Sequence, residues 1–442
     1  MKKRKRIISL LLTLVLVFAM VGPACTTAYA GDPPEILYSE YSNWLWPGES
    51  KTVGIALSPG AYAVQLLQWD YDSDSWFICG NCSYQDSGKT LWYYDIEPLP
   101  GNKQGSRRYC FDINYGELQS RDFNINWTNE QGIERIAGDD RYDTALKAAA
   151  LKRAWTSSGK YENAIIACGT NFADALGGTY LAARYNAPIL LVNNKPDVIQ
   201  KIAGDISTYL DPSGKVFILG GTGAVPEDME KALTAGGIDA SRVERFAGTD
   251  RYDTNLKILK YCGAVNEDLL ICSGVNFPDA LSASATGKPI LLVGGKLKQE
   301  QVQYFNEAVP KTTYIIGGPG AVSVAVEQSV VDFGLEYFRI FGADRYMTSI
   351  SVAMAFFSDR QRLYSTFAYG HNFPDGLSAG PLCIQYGAPL ILLRNGMKQE
   401  AVTESAAYIK YGARSRHAIV LGGPTLISDE LVKTVMDIHA MG

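Results

Sequence analysis

The sequence predicts an α/β protein built from three tandem β-α modules with parallel sheets, preceded by a small all-β, sandwich-like domain. Three observations carry this. From about Ile133 onward, apolar runs of strand length alternate with helical patterns, the mark of a parallel sheet covered on both faces. Four landmarks then recur in the same order three times along the chain. Upstream, residues 31–130 hold short aromatic and β-branched segments separated by Gly, Pro, Asn and Asp, the grammar of a small sandwich.

Taken in order, residues 1–30 read as a secretory signal peptide. Lys2, Lys3, Arg4, Lys5 and Arg6 precede the apolar run "IISLLLTLVLVFAMVG", and Ala28-Tyr29-Ala30 supplies an A-x-A ending. Cleavage there would start the mature protein at Gly31. The residues before Cys25 are Gly22-Pro23-Ala24, and proline fits a lipobox badly. Past the signal, no apolar run is long enough to span a bilayer.

Residues 31–130 contribute "KTVGIAL", "AYAVQLLQWD", "SWFICG", "TLWYYDI" and "RDFNINWT" as strand candidates. Cys79, Cys82 and Cys110 fall here without a histidine or a fourth cysteine, which argues against zinc. In an exported domain the expectation is one disulfide, from Cys110 to Cys79 or Cys82, with one thiol left over. Asp70, Asp72 and Asp74 imitate the start of an EF-hand loop, but Ser75 and Asn81 occupy the positions that need glycine and glutamate. An acidic hairpin tip is the better reading, and no metal site is expected.

The first repeat (133–238) shows the unit. "ERIAG" reads as a strand, and "TALKAAALKRAW" as a helix with Thr144 as its N-cap. Strand "AIIACG", helix "ADALGGTYLAARY", strand "PILLVN", helix "DVIQKIAGDISTYL" and strand "KVFILGG" follow. "PEDMEKALTAGG" closes it, with Gly236-Gly237 suited to a C-cap. The second repeat (242–334) and third (336–440) repeat the landmarks. These are a G-x-D-R-Y turn (Gly138–Tyr142, Gly248–Tyr252, Gly342–Tyr346), N-F-x-D (from Asn171, Asn276 and Asn372), a proline opening a strand (Pro188, Pro289, Pro389), and a Gly-Gly strand end (220–221, 317–318, 422–423). Four ordered landmarks in triplicate establish tandem repeats.

Charge narrows the partners. Beyond residue 30 the chain carries 36 basic and 46 acidic residues, but 131–442 is nearly balanced at 30 against 32. Bulk charge would not drive the repeats onto a polyanion, so anion binding must come from placed groups. No basic stripe or stacking platform points to nucleic acid. Nucleotide fingerprints, HExxH and GxSxG are absent. The histidines (His371, His417, His439) all fall in the third repeat, so no histidine site can be repeated. No catalytic residue and no cofactor are expected.

All four landmarks follow a strand, at the carboxyl edge where open α/β sheets bind ligands. Arg141, Arg251 and Arg345 could fork onto a phosphate or carboxylate, or lock a turn or a neighbouring repeat. Asp140, Asp250 and Asp344 read better as braces for the arginine or for loop amides than as ligand contacts. Tyr142, Tyr252 and Tyr346, with Asn171, Asn276 and Asn372, complete the candidate set. Asp174, Asp279 and Asp375 suit helix starts. Phe172, Phe277 and Phe373 suit plugs beneath the loop.

These turns resemble the cell-wall-binding repeat type 2 family of Gram-positive bacteria, usually found as three tandem copies. The quoted motifs are R-[IF]-x-G-x-D-R-Y-x-T, N-F-x-D-[AG]-L, P-[IL]-[LI]-L and the Gly-Gly strand end, spread over about 133–442. The resemblance implies modules around a pseudo-threefold axis and noncovalent attachment to the wall. It also implies an anionic secondary polymer, polysaccharide or teichoic-acid-like, as ligand. It does not reach residues 31–130. The third copy departs from the pattern: Met347 replaces Asp143 and Asp253, and Pro424-Thr425-Leu426 replaces Pro319-Gly320-Ala321. The expectation is therefore a secreted, wall-attached surface protein displaying its β domain. The rivals are an enzyme acting on wall glycan and an adhesin whose β domain takes an external ligand.

Overall fold

A computed structural model describes residues 132–154, 159–359 and 362–436, and the strands within 36–127. The chain divides into two compact units, Met1–Glu130 and Gln131–Gly442. The signal segment, most of the acidic run 70–74 and residues 437–442 lie outside the described residues.

The first unit holds two sheets. One orders β1 (Ile36–Glu40), β3 (Lys51–Leu57), β7 (Leu91–Ile96) and β6 (Ser83–Tyr84), all antiparallel. The other orders β2 (Trp44–Leu45), β10 (Phe123–Trp127), β8 (Gly105–Ile113), β4 (Val64–Asp70) and β5 (Ser75–Asn81), with β9 (Leu118–Gln119) beside β8. Alternation buries Val64, Leu66, Tyr109, Phe111 and Ile113. Cys110 lies on β8 and pairs with Leu67 of β4, while Cys79 lies on β5 and the Cys82 N–H donates to Val64 O on β4. Strand β4 thus stands between Cys110 and both expected partners. Two strand spacings put the Cα atoms about 10 Å apart, beyond a disulfide's reach. The expected Cys110 pairing does not follow from this strand order.

The second unit is built of β-α crossovers. Its parallel sheets are β13-β12-β14-β15, β17-β16-β18-β19 and β21-β20-β22-β11. The strands are β11 (Ile133–Ile136), β12 (Ala164–Cys168), β13 (Ile189–Val192), β14 (Val216–Leu219), β15 (Val243–Phe246), β16 (Leu269–Ser273), β17 (Ile290–Val293), β18 (Thr313–Ile316), β19 (Tyr337–Ile340), β20 (Tyr364–Tyr369), β21 (Leu390–Leu393) and β22 (His417–Leu421). Strands β12, β13, β14, β16, β17, β21 and β22 are buried throughout, the edge strands β13, β17 and β21 included, as parallel strands covered on both faces are.

The strand that opens each repeat belongs to the sheet of the repeat before it. Strand β15, at the head of the second repeat, pairs with β14 of the first, and β19 of the third pairs with β18 of the second. The circle closes when β11, at the head of the first repeat, pairs with β22 of the third. The helix after each opening strand packs on the sheet of its own repeat and also on the N-F-x-D segment of the repeat before. Helix α1 (Arg141–Ala154) packs on β13, and the helices Arg251–Tyr261 and Arg345–Phe357 pack on β17 and β21. The G-x-D-R-Y turn between strand and helix therefore spans every module seam.

Two local readings change. The helix after the first turn starts at Arg141, and Asp140 caps it: Oδ1 accepts the N–H of Tyr142 at 2.9 Å and of Asp143 at 2.9 Å. A carboxylate satisfies two orphan donors where Thr144 would satisfy one. Thr144 sits inside the helix, its Oγ1 accepting from Gly138 N. The segment expected as one helix, "ADALGGTYLAARY", divides at Gly178 into α2 (Ala173–Gly177) and α3 (Thr179–Arg184). At Gly178 a Cβ would lie 2.2 Å from Leu219 Cδ1.

Candidate functional site

The three N-F-x-D loops converge on one point. The rings of Phe172, Phe277 and Phe373 contact one another pairwise, with centroids 6.0, 5.7 and 5.7 Å apart and tilted or edge-to-face planes. This is the favoured aromatic geometry, and it places a pseudo-threefold axis at the carboxyl ends of the strands. The phenylalanines are plugs, but for the axis and not for their own loops. Around them Asn171, Asn276 and Asn372 are exposed. Each turns its side-chain oxygen back to a loop N–H, of Ala173 (3.2 Å), Phe277 (3.0 Å) and Phe373 (2.9 Å).

The seam turns form the next ring outward. Asp250 and Asp344 cap their helices as Asp140 does, each accepting two backbone N–H groups. Tyr142, Tyr252 and Tyr346 lie flat against the glycine that ends the neighbouring strand. A Cβ at Gly169, Gly274 or Gly370 would fall 2.6, 2.5 or 2.6 Å from the tyrosine ring. Arg141, Arg251 and Arg345 donate Nη1–H to the carbonyls of those same glycines at 2.7, 2.7 and 2.9 Å. The sequence singled out all four residue types. The structure brings the arginines and asparagines to the axis, and assigns the aspartates and tyrosines to building the turn.

Each arginine also faces the repeat before it. Arg251 Cζ lies 5.5 Å from the Phe172 ring, and Arg345 Cζ lies 5.6 Å from Phe277, within cation–π range. The same arginines act on the N-F-x-D carboxylates across the seam. Burial pushes Asp279 up to about 6, with Arg345 pulling the other way. Burial likewise raises Asp174 against Arg251, and Asp375 against Thr144 and Arg141. Each of these carboxylates lies beside the first glycine of its Gly-Gly pair. A Cβ at Gly220, Gly317 or Gly422 would fall 2.7, 2.5 or 3.0 Å from the carboxylate Oδ2, and the backbone there has φ of +99°, +113° and +112°. Only glycine meets both demands.

Sequence reasoning missed a second arginine triplet. Arg135, Arg245 and Arg339, on the opening strands, clamp each strand to the preceding repeat. Arg245 Nη1 donates to Gly220 O (2.9 Å) and Val225 O (2.9 Å), with Nε on Glu230. Arg339 repeats this on Gly317 O, Val322 O and Glu327. Arg135 repeats it on Gly422 O, Ile427 O and Asp429. The signal was present, since an arginine stands three residues before the glycine of every G-x-D-R-Y turn. A lysine at the helix N-cap in every repeat (Lys195, Lys298, Lys398) was also passed over. Lys298 binds the Asp250 carboxylate and lies over the Tyr252 ring. No group of side chains suited to a metal occurs among the described residues.

Three β-α modules closed around an axis, each stapled to the next by the same two arginines, define a repeat-built binding body. The class has a name: a model of the Cell wall binding domain 2 (CWB2) family matches residues 135–230, 245–327 and 339–432. The chain belongs to that family. Each matched stretch begins at one of the clamping arginines. Among curated proteins it is 25% identical over 309 residues to the N-acetylmuramoyl-L-alanine amidase LytC of Bacillus subtilis (strain 168), covering 68% of this chain and 58% of that one. It is 26% identical over 320 residues to the Amidase enhancer of the same organism, covering 71% and 42%. The chain thus spans little more than half, or less, of the length of these relatives. In fold it is similar to Cwp6 from Clostridium difficile (TM-score 0.68, 19% identity, 89% of this chain and 67% of that one). It is similar also to Cwp8 from Clostridium difficile (0.60, 22%, 77% and 60%). Among the described residues no helix is long and apolar enough to cross a membrane. The repeats are cell-wall-binding modules, and the protein's place is the cell wall or surface.

Proposed function

We propose that this exported protein is held noncovalently on the wall by an anionic secondary polymer that reaches the axial ring, and that it displays the residue 31–130 domain outward. One observation carries the reading. Three half-buried guanidinium groups surround the phenylalanine triad, each spending one nitrogen on a glycine carbonyl. A guanidinium has five N–H donors in a planar fork, so each retains donors suited to a phosphate or carboxylate. One charge-assisted contact contributes about 1.5–3 kcal/mol, too little for anchoring. Three contacts on one rigid body gain about 10²–10⁴ in avidity on a repeating polymer.

The repeats act in this reading as a binding body and not as an enzyme. The carboxylates of the seam turns cap helices, pair with lysines or stand against the glycine turns. The test is a pull-down on purified walls before and after removal of the secondary polymer, with Arg141, Arg251 and Arg345 changed to Ala singly and together. Binding should fall with stripping and rising salt, and most in the triple variant. Equal binding to stripped walls overturns the anionic-polymer reading, and a zone of clearing on wall-embedded gels would favour an enzyme.

A further inference from the structure

The second module carries a part-exposed aromatic strip where the first buries its counterpart, Phe217, completely. In the first module, Phe217 of β14 is covered by Tyr185 (4.8 Å) and Tyr261 (6.0 Å), and those two tyrosines stack on each other at 5.8 Å. Tyr261 is fixed by donating its hydroxyl hydrogen to Glu244 at 2.8 Å. Counting from the shared Arg-Tyr turn and from the strand-opening proline, the second module places Thr286 at the position of Tyr185 and Ala355 at that of Tyr261. Neither position carries a ring, and from that helix only Phe356, one residue further on, reaches the strip among the described residues. Phe338 stands where Glu244 and Glu134 stand in the other copies. Tyr314, the counterpart of Phe217, stacks with Phe338 at 5.8 Å and 24°, and Phe356 meets it edge-on at 4.9 Å. Phe338 is 50% exposed on the edge strand β19.

The border of the strip says what would cover it. Asp268 directly precedes β16 and Glu336 directly precedes β19, so both acids lie at this end of the sheet. Burial first, and then these carboxylates, raise the Tyr314 hydroxyl above its ordinary range. Asp268 is paired with Lys288 at 2.9 Å. An apolar ring face edged by carboxylate acceptors and one ammonium suits a ligand with a flat C–H face and hydroxyl donors at its rim. It repels an anionic chain. The strip sits at the amino ends of the strands, opposite the edge that carries the axial ring.

We propose that this strip is a second glycan site, taking a neutral pyranose stacked on Tyr314 and Phe338 in the space that Tyr185 fills in the first module, with Phe356 as its side wall. It goes beyond the anchoring reading and does not depend on it.

The test is calorimetric titration of the full chain with a neutral N-acetylglucosamine tetramer, maltotetraose and tetragalacturonate. The expected result is saturable binding of a neutral tetramer, with the galacturonate at least about tenfold weaker. Phe338→Glu, which writes the residue of the other two copies, and Thr286→Tyr, which restores the cover, should each weaken the neutral sugar about tenfold without lowering the unfolding midpoint. No saturable neutral-sugar binding, or equal binding by wild type and Phe338→Glu, overturns the proposal. So does concentration-dependent dimerisation that Phe338→Glu abolishes in the absence of sugar, since the strip would then be a contact between copies.

Discussion

Two of the three seams are continuous in the chain, and the third is not. At the first two, β15 and β19 pass straight from one module's sheet into the next module's helix. At the third, β11 reaches back across the whole unit to pair with β22. The clamp is nearly the same at all three, but Arg135 ends on Asp429, whose side chain is 59% exposed, whereas Arg339 ends on Glu327 at 23%. A histidine marks the closing seam alone, with Gly132 N–H donating to His417 Nδ1 at 3.2 Å. Lys215 and Thr312 hold the matching positions elsewhere. A ring made from a linear chain is thus welded twice and latched once.

The latch should be the first part to open. Comparing a chain that begins at residue 131 with one that begins at 138 isolates β11. Loss of the strand should lower the unfolding midpoint by about 10 °C, as expected for a few kcal/mol in a domain of this size. Amide exchange should rise along 418–421 while 165–167 and 270–272 stay protected. Equal loss of protection in all three sheets would mean that the seams do not open separately.

Next in size come the welded clamps. Arg245→Ala and Arg339→Ala each strand two carbonyls and one carboxylate, at about 2–4 kcal/mol. Denaturant melts should show this as a lower midpoint at unchanged slope. Arg135→Ala removes the same bonds but should appear chiefly as local exchange at β22, because a strand near the unit's start can fray without unfolding the rest.

Acid should act on the two kinds of seam with opposite sign. The folded pKa of Asp279, about 6, lies above its ordinary 3.8. The fold therefore resists the charged carboxylate, and stability rises as pH falls through 6 toward 4, by up to about 2–3 kcal/mol. His417 is the reverse case. Burial first, then Arg416, holds it below 6.5, so its contribution is whole above 6.5 and declines as pH falls below. Tyr364, 5.4 Å away, and Gly132 also face it. Melting curves between pH 7.5 and 4.5 should lose the gain on acidification in Asp279→Asn, leaving a steeper acid decline, and lose that decline in His417→Gln. Identical profiles for wild type and both variants would refute the assignment.

Much of this architecture was legible in the sequence because the repeats supply their own comparison. Three copies of G-x-D-R-Y and of the Gly-Gly end exposed the unit and its strand-end chemistry. Which sheet each opening strand joins was not legible. "ERIAG" looks the same whether β11 pairs within its own repeat or with a strand 285 residues later, as Gly132 does with His417. The phenylalanine triad was hidden for the same reason, since its rings meet only once the axis exists. Arg135, Arg245 and Arg339 were visible in every quoted turn, but their carbonyl partners lie in another repeat. Whether Cys110 pairs was not legible, because spacing along the chain says nothing of the strand, β4, that comes between.

The smallest effect concerns the third copy's departure. Asp143 accepts from Lys147 at 3.3 Å and Lys201 at 3.0 Å, and Asp253 accepts from Lys257 at 3.3 Å, all from exposed lysines. At the third turn Met347 and Ser351 replace that i,i+4 pair. Exposed pairs of this kind contribute about 0.3–0.5 kcal/mol. The double change Met347→Asp with Ser351→Lys should therefore move stability by no more than about 0.5 kcal/mol, resolved by a double-mutant cycle. The turn is already held by the Asp344 cap and by Thr348 Oγ1 on Gly342 N–H at 3.1 Å. A coupling above about 1 kcal/mol would show that Met347 weakens the third turn itself, and that the copies differ in rigidity as well as in surface charge.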